Sequence, residues 1–68
     1  MSKFLEEIGE KIKELRQAQG ISQAALAERC GLTQPHLSRI ERGKLSITAE
    51  TLDAIAKGLN CHLEIKGS

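Results

Sequence analysis

Aromatic side chains are nearly missing from this chain of 68 residues, which has one phenylalanine and neither tryptophan nor tyrosine. Proteins that bind RNA or single-stranded DNA commonly stack the bases on aromatic rings, so this shortage argues against such a platform. Cysteine is scarce too, because two residues are too few for a disulfide framework. We therefore expect a small protein with reduced thiols.

Long apolar runs are missing as well. No stretch approaches the roughly 20 apolar residues that a membrane-spanning helix needs. The N-terminus is charged by Lys3, so no signal peptide is visible. We expect a cytoplasmic protein without a membrane partner, in which residues 1–68 form one domain with a small core.

Signals for catalysis or a bound cofactor are also missing. The chain has no paired carboxylates in a pocket pattern, no glycine-rich phosphate loop and no nucleophile motif. A zinc site from Cys30, His36, Cys61 and His62 is disfavoured, because adjacent strand residues point to opposite faces. We expect no enzymatic activity, no cofactor and no metal.

The formal net charge of +1 is far from the basic balance of many nucleic-acid binders, and the distribution of charge is more informative. Residues 23–44 carry four cations against two carboxylates. Four glutamates lie near the start of the chain and would repel phosphates. We therefore expect one mildly basic face and one mildly acidic, solvated face. The four residues are Glu6, Glu7, Glu10 and Glu14.

Helical spacing of the apolar residues predicts four helices. Gly9 interrupts the first helix at a cost of about 1 kcal/mol relative to alanine, which a close helix contact would explain. Glycines and hydroxyl side chains mark the helix ends, and Asn60 is expected to be a left-handed cap of the last helix. The expected ranges are roughly 3–19, 23–30, 33–42 and 49–59.

The segment 22–43 contains two short helical patterns joined by a tight turn at Gly31. Either Thr33 or Gln34 caps the second helix, because a residue before proline avoids the α region. One side of that helix is apolar apart from a glutamate, and the other side carries hydrogen-bonding and cationic groups. This arrangement is typical of a helix-turn-helix, whose second helix lies in the major groove of DNA.

Residues 61–66 change period from helix to strand. Cys61, Leu63 and Ile65 alternate with polar residues, which predicts a short β-strand. Nothing else in the chain has a strand pattern that could pair with its backbone groups. We therefore expect the strand to pair antiparallel with its copy in a homodimer, because a two-fold interface is self-complementary.

Several short motifs occur together and in order along the chain: Arg16, Gly20-Ile21-Ser22-Gln23, Leu26-Ala27, Gly31 and Ile40-Glu41-Arg42-Gly43. With these motifs, residues 8–60 resemble the Cro/C1-type (Xre-family) helix-turn-helix regulators. The resemblance implies a mainly α, lambda-repressor-like DNA-binding domain of four helices. The added C-terminal strand is similar to that of HipB-like antitoxin repressors. The implied function is a transcriptional repressor that binds double-stranded DNA at a palindromic operator as a dimer.

The resemblance also implies roles for individual residues. Base edges would be read by Gln34, His36, Ser38 and Arg39. Phosphates would be contacted by Gln23, Arg42 and Lys44, and Gln23 would also brace the recognition helix. Arg16 and Glu41 would form an ion pair between the first and third helices. Family members usually lack a proline at the position of Pro35, and proline is common where this chain has Ile47.

Two functions fit these residues. One is a stand-alone sequence-specific repressor. The other is an antitoxin that neutralises a partner toxin and represses its own operon. Both need the DNA-binding helix, and they differ in whether a second protein accompanies the chain in stoichiometric amounts.

Overall fold

The computed structural model describes residues 3–60, and these form four α-helices joined by short connections. The mainly α class and the four helices expected from the apolar spacing are confirmed. The first helix ends one residue earlier than expected. The helices are α1 (Lys3–Ala18), α2 (Gln23–Cys30), α3 (Gln34–Glu41) and α4 (Ala49–Gly58).

The expected strand at residues 61–66 lies outside the described residues. Its three apolar positions, Cys61, Leu63 and Ile65, therefore stay predictions. Within residues 3–60, none of the helices is both long and apolar enough to cross a bilayer.

Hydroxyl side chains begin three of the helices. Ser22, Thr33 and Thr48 lie in extended backbone, and each side chain accepts a hydrogen bond from a backbone N–H three residues further on. Thr33 is therefore the cap of α3, which settles the choice between Thr33 and Gln34. Gln34 is the first helical residue although Pro35 follows it, and we infer that the bonded cap offsets the extended preference before proline.

The turn between α2 and α3 depends on Gly31. Its φ of 73° lies in the left-handed region, which favours glycine. The backbone N–H of Leu32 donates to the carbonyl of Ala27 at 2.9 Å and closes the turn. Asn60 ends α4 with a φ of 56°, as its position predicted. These ends fix the short connections that hold the helices close to one another.

The core lies where α2 packs against α3 and α4, and α1 closes it over α3. Its largest fully buried side chains come from α2, from α3, and from α4 with the residue that caps it. They are Leu26, Leu37, Ile55 and Leu59. Cys30 is half-buried and packs against this cluster. Burial raises the pKa of the Cys30 thiol, and the charge of Arg29 opposes the shift. The thiol therefore stays protonated near neutral pH and acts as a small apolar group.

Two side chains, one just after α1 and one at the end of α2, cap the C-terminus of α4. Gln19 donates from Nε2 to the carbonyl of Leu59 at 2.6 Å, and Arg29 donates from Nη1 to the carbonyl of Gly58 at 3.2 Å. Both carbonyls belong to the last turn, where intrahelical donors run out. The two bonds join the ends of α1, α2 and α4.

Gly9 lets α1 approach α3 at backbone distance. A Cβ at this position would lie 2.4 Å from the carbonyl oxygen of Ile40 and 2.6 Å from that of Glu41. Both atoms belong to the backbone of α3, so they cannot move aside as the end of a flexible side chain could. The close contact expected from the sequence is confirmed.

Gly9→Ala should therefore destabilise the fold. Alanine favours a helix by about 1 kcal/mol over glycine, but forced overpacking against backbone typically costs about 1–3 kcal/mol. Gly58→Ala is the control, because its Cβ would meet the side chains of Cys30 and Leu26 at 3.0 and 3.1 Å. Chemical denaturation should give a lower free energy of unfolding for Gly9→Ala than for Gly58→Ala. Equal stabilities would show that α1 has room to move.

Candidate nucleic-acid interface

The two faces of α3 differ in burial. Leu37, Ile40 and Glu41 are buried against the other helices. The remaining positions of the helix include the four side chains for which base contacts were predicted. Of these, Gln34 and Arg39 are exposed. His36 and Ser38 are half-buried.

A buried ion pair joins α1 to α3. Nε of Arg16 lies 2.7 Å from Oε2 of Glu41, and Nη2 of Arg16 lies 3.1 Å from Oε1. Both residues are nearly removed from solvent, with 9% and 5% of their surface exposed. The two parallel bonds give the bidentate geometry in which guanidinium and carboxylate interact most strongly.

Two further bonds complete this network. The Nη1 of Arg16 donates to the backbone carbonyl of Ile21 at 2.9 Å, and Nε2 of Gln23 donates to Oε1 of Glu41 at 3.0 Å. Among the described residues, no buried side-chain nitrogen or oxygen is left without a partner. The Glu41 carboxylate thus holds α3 to α1 and to the start of α2. The bond from Gln23 agrees with the bracing of the recognition helix that the family resemblance implied, whereas the contact of Arg16 with Ile21 and the choice of Glu41 as the partner of Gln23 had not been assigned from the sequence.

Cations surround the exposed side of α3. Arg39 lies in its last turn, and Arg42 and Lys44 follow it, all three exposed. None of them forms an ion pair with a carboxylate within residues 3–60. The Nε of Arg42 makes a long hydrogen bond of 3.4 Å to the carbonyl of Ser38. Their charges are therefore available to an anionic partner.

A groove of about 440 Å³ separates this surface from α1. The expected division into one basic and one acidic face is wrong at this place, because Glu6 and Glu10 line the same groove as the cation Arg42. The close contact at Gly9 explains the error, since it brings this face of α1 beside α3. The remaining lining residues are Lys13, Gln23, Ser38 and Glu41.

Within the described part of the chain, no three His, Cys, Asp or Glu residues are grouped as a metal ion would require. Cys61 and His62, two of the ligands considered above, lie outside that part. The geometry instead offers hydrogen-bond donors and positive charge on the face of a short helix, which suits an extended anion such as nucleic acid.

Residues 12–66 match the family model described as helix-turn-helix. The chain belongs to the Cro/C1-type helix-turn-helix family. Four helices with this arrangement have the lambda-repressor-like fold that the sequence predicted. The family resemblance stated from the motifs is thereby confirmed.

Three known proteins illustrate the likeness. An HTH-type transcriptional regulator of Mycobacterium tuberculosis, Rv0474, is 39% identical over 57 residues, which cover 84% of this chain and 41% of that protein. The immunity repressor of Bacillus phage phi105 is 35% identical over 76% of this chain and 36% of its own length. The chain thus spans about two fifths or less of either relative.

The third protein is a solved structure. It is a tetramer of the restriction-modification controller protein C.Esp1396I in complex with its natural 35-base-pair operator. The TM-score is 0.88 at 32% sequence identity, and the match covers 93% of this chain and 83% of that one.

Truncation of either partner of the buried ion pair should be costly. Arg16→Ala or Glu41→Ala leaves one charge buried without its partner, at a cost of about 3–5 kcal/mol. The double variant should lose less than the two single losses together. The free energy of unfolding, measured by denaturant titration of all four proteins, gives the coupling.

Lys57→Ala provides the control. It breaks the exposed pair between Lys57 and Asp53, which lie one turn apart on α4 at 3.0 Å. Exposed pairs one helical turn apart contribute about 0.3–0.5 kcal/mol to the free energy of unfolding. Two results would contradict a coupled, buried pair. One is a strictly additive loss of free energy of unfolding for Arg16→Ala and Glu41→Ala, and the other is a loss as small as that of Lys57→Ala.

Proposed function

We propose that this protein is a sequence-specific transcriptional repressor that binds double-stranded DNA at a palindromic operator as a dimer. The observation that carries the proposal is the network around Glu41. It holds the inner face of α3 to two other helices and leaves Gln34 and Arg39 exposed. A helix held in this way can enter the major groove as a rigid reader of base edges.

Base reading is assigned to Gln34, His36, Ser38 and Arg39. The Thr33 cap places Gln34 in the first turn of α3, and the N-terminal residues of a recognition helix are those that contact bases. Arg39 can donate two N–H groups to O6 and N7 of guanine. The amide of Gln34 can pair with N6 and N7 of adenine.

Phosphate contacts are assigned to Gln23, Arg42 and Lys44. Arg42 and Lys44 follow the end of α3, where their exposed side chains can reach the DNA backbone beside the major groove. Gln23 starts α2, and only one N–H of its amide is used by Glu41, so the other can donate to a phosphate oxygen. These contacts position α3 on the duplex and carry no sequence information themselves.

Repression is favoured by the kinds of protein that this chain resembles. One relative is an immunity repressor, and the controller protein is seen on its operator. Neither name refers to a toxin, so the antitoxin alternative has no support from them. Action on an operator agrees with the cytoplasmic location expected from the sequence.

The geometry of DNA and the small size of the domain favour a dimer. Two recognition helices related by a two-fold axis would lie about 34 Å apart and match successive major-groove faces of a palindrome. A domain this small also gains stability from burying surface between subunits. The assembly of the controller protein on its operator supports binding as an oligomer.

Arg39 and Arg42 should contribute to binding in different ways. Arg39→Ala should weaken binding to a duplex selected from a random pool by about 1–3 kcal/mol and relax the preference at one base pair per half-site. Arg42→Ala should weaken binding to selected and random duplexes alike and make the salt dependence shallower by about 0.9 per lost phosphate contact. Fluorescence anisotropy titrations at several salt concentrations measure both effects. A uniform loss across sequences for Arg39→Ala would remove its base-reading role.

Removal of residues 61–68 should convert the dimer to a monomer. The prediction rests on the alternation of Cys61, Leu63 and Ile65, which favours antiparallel pairing of two copies. Mass in solution, measured by sedimentation equilibrium, should fall to that of one chain, and binding to a two-half-site duplex should weaken. A truncated protein that stays dimeric and binds as before would refute the strand interface.

A further inference from the structure

Three charged side chains of α1 form a stripe beside the recognition helix. Glu6, Glu10 and Lys13 are four and three residues apart, which places them on one face of α1. All three line the groove that also contains Ser38 and Arg42. The contacts predicted from the sequence gave this helix no part in DNA binding, but the groove joins it to the DNA-facing side chains of α2 and α3.

The glutamate end of the stripe lies where α3 stops. A Cβ on Gly43 would be 2.9 Å from the backbone nitrogen of Glu6, so α1 begins against the residue that follows Arg42. The carboxylate of Glu6 therefore lies at the Arg42 end of the groove. A phosphate bound at this end meets a cation and an opposing carboxylate together.

The lysine end of the stripe lies near the start of α2. Arg16 and Gln23 both donate to Glu41, which brings this part of α1 close to Gln23. Lys13 precedes Arg16 by about one helical turn and lines the groove with Gln23. Lys13 is exposed, and it forms no ion pair with any described carboxylate.

The charges that line the groove nearly balance, so the electrostatic potential at each end of the groove depends on which charged side chain lies there. Glu41 is neutralised by Arg16, and the other charged lining residues are two glutamates and two cations. Glu6 and Lys13 are separated by about 10 Å along the helix axis at 1.5 Å per residue. This equals the distance of about 10 Å over which 0.1 M salt screens exposed charges. An anion beside Gln23 is therefore attracted by Lys13 and partly screened from Glu6.

We propose that Lys13 binds a phosphate of the DNA backbone together with Gln23, so that α1 is part of the DNA interface. The free N–H of the Gln23 amide and the ammonium group of Lys13 supply the donors. Glu10, which lies between the two ends of the groove, opposes the same phosphate. This inference rests on the proposed DNA-binding function.

The test compares two lysines of the same helix. Lys13→Gln should reduce affinity about eightfold per subunit at 0.1 M salt and make the salt dependence shallower by about 0.9, for both selected and random duplexes. Lys11→Gln makes the same change of charge at an exposed position that does not line the groove, and it should have a much smaller effect. Circular dichroism should show the same thermal midpoint for both variants.

Glu10→Gln removes a negative charge from the groove, whereas Lys13→Gln removes a positive one. It should raise affinity for both kinds of duplex, whereas Glu7→Gln, outside the groove, should have less effect. Equal losses for Lys13→Gln and Lys11→Gln, with normal binding by the parent, would overturn this inference and leave the proposed function standing. Failure of the parent protein to enrich any duplex would overturn both.

Discussion

The buried pair between Arg16 and Glu41 determines how α3 is held. It is bidentate, it is almost fully removed from solvent, and its carboxylate also receives a bond from Gln23. Burial of two charges is costly, and attraction compensates for this only when the geometry is good and every remaining donor and acceptor is satisfied. The geometry here is bidentate, and every buried side-chain nitrogen and oxygen among residues 3–60 has at least one hydrogen-bond partner. The pair therefore specifies one orientation of α3 relative to α1 and α2.

The close approach at Gly9 serves the same end. Because the backbone of α1 rests on the carbonyl oxygens of Ile40 and Glu41, the Arg16 side chain, two turns further along α1, can reach the Glu41 carboxylate. Gly43, two residues after the end of α3, is also close to α1, because a Cβ there would lie 2.8 Å from Cα of Glu6. Two glycines and one ion pair thus fix the contact between α1 and α3, and the same contact creates the groove that faces the proposed DNA site.

Much of this fold could be predicted from the sequence, because its signals are local. Apolar spacing placed the four helices, and residues such as Ser22 and Gly31 marked their ends within about one residue. The cap of α3 needed coordinates, since the hydroxyl of Thr33 and the proline preference at Gln34 point to different residues. The position of Glu6 and Glu10 in the groove beside the proposed DNA site was not predicted, for another reason. Helical spacing says which residues share a face but not which helix that face meets.

Methylation interference on a selected duplex tests most directly whether a rigidly held α3 reads base edges in the major groove. Guanines whose N7 is methylated present a blocked acceptor in the major groove. If α3 reads the major groove in this way, methylation should interfere with binding at guanines in two half-sites. These half-sites should be related by a two-fold axis and centred about one helical turn apart. A duplex whose binding is insensitive to N7 methylation, or sensitive only to minor-groove changes, would contradict it.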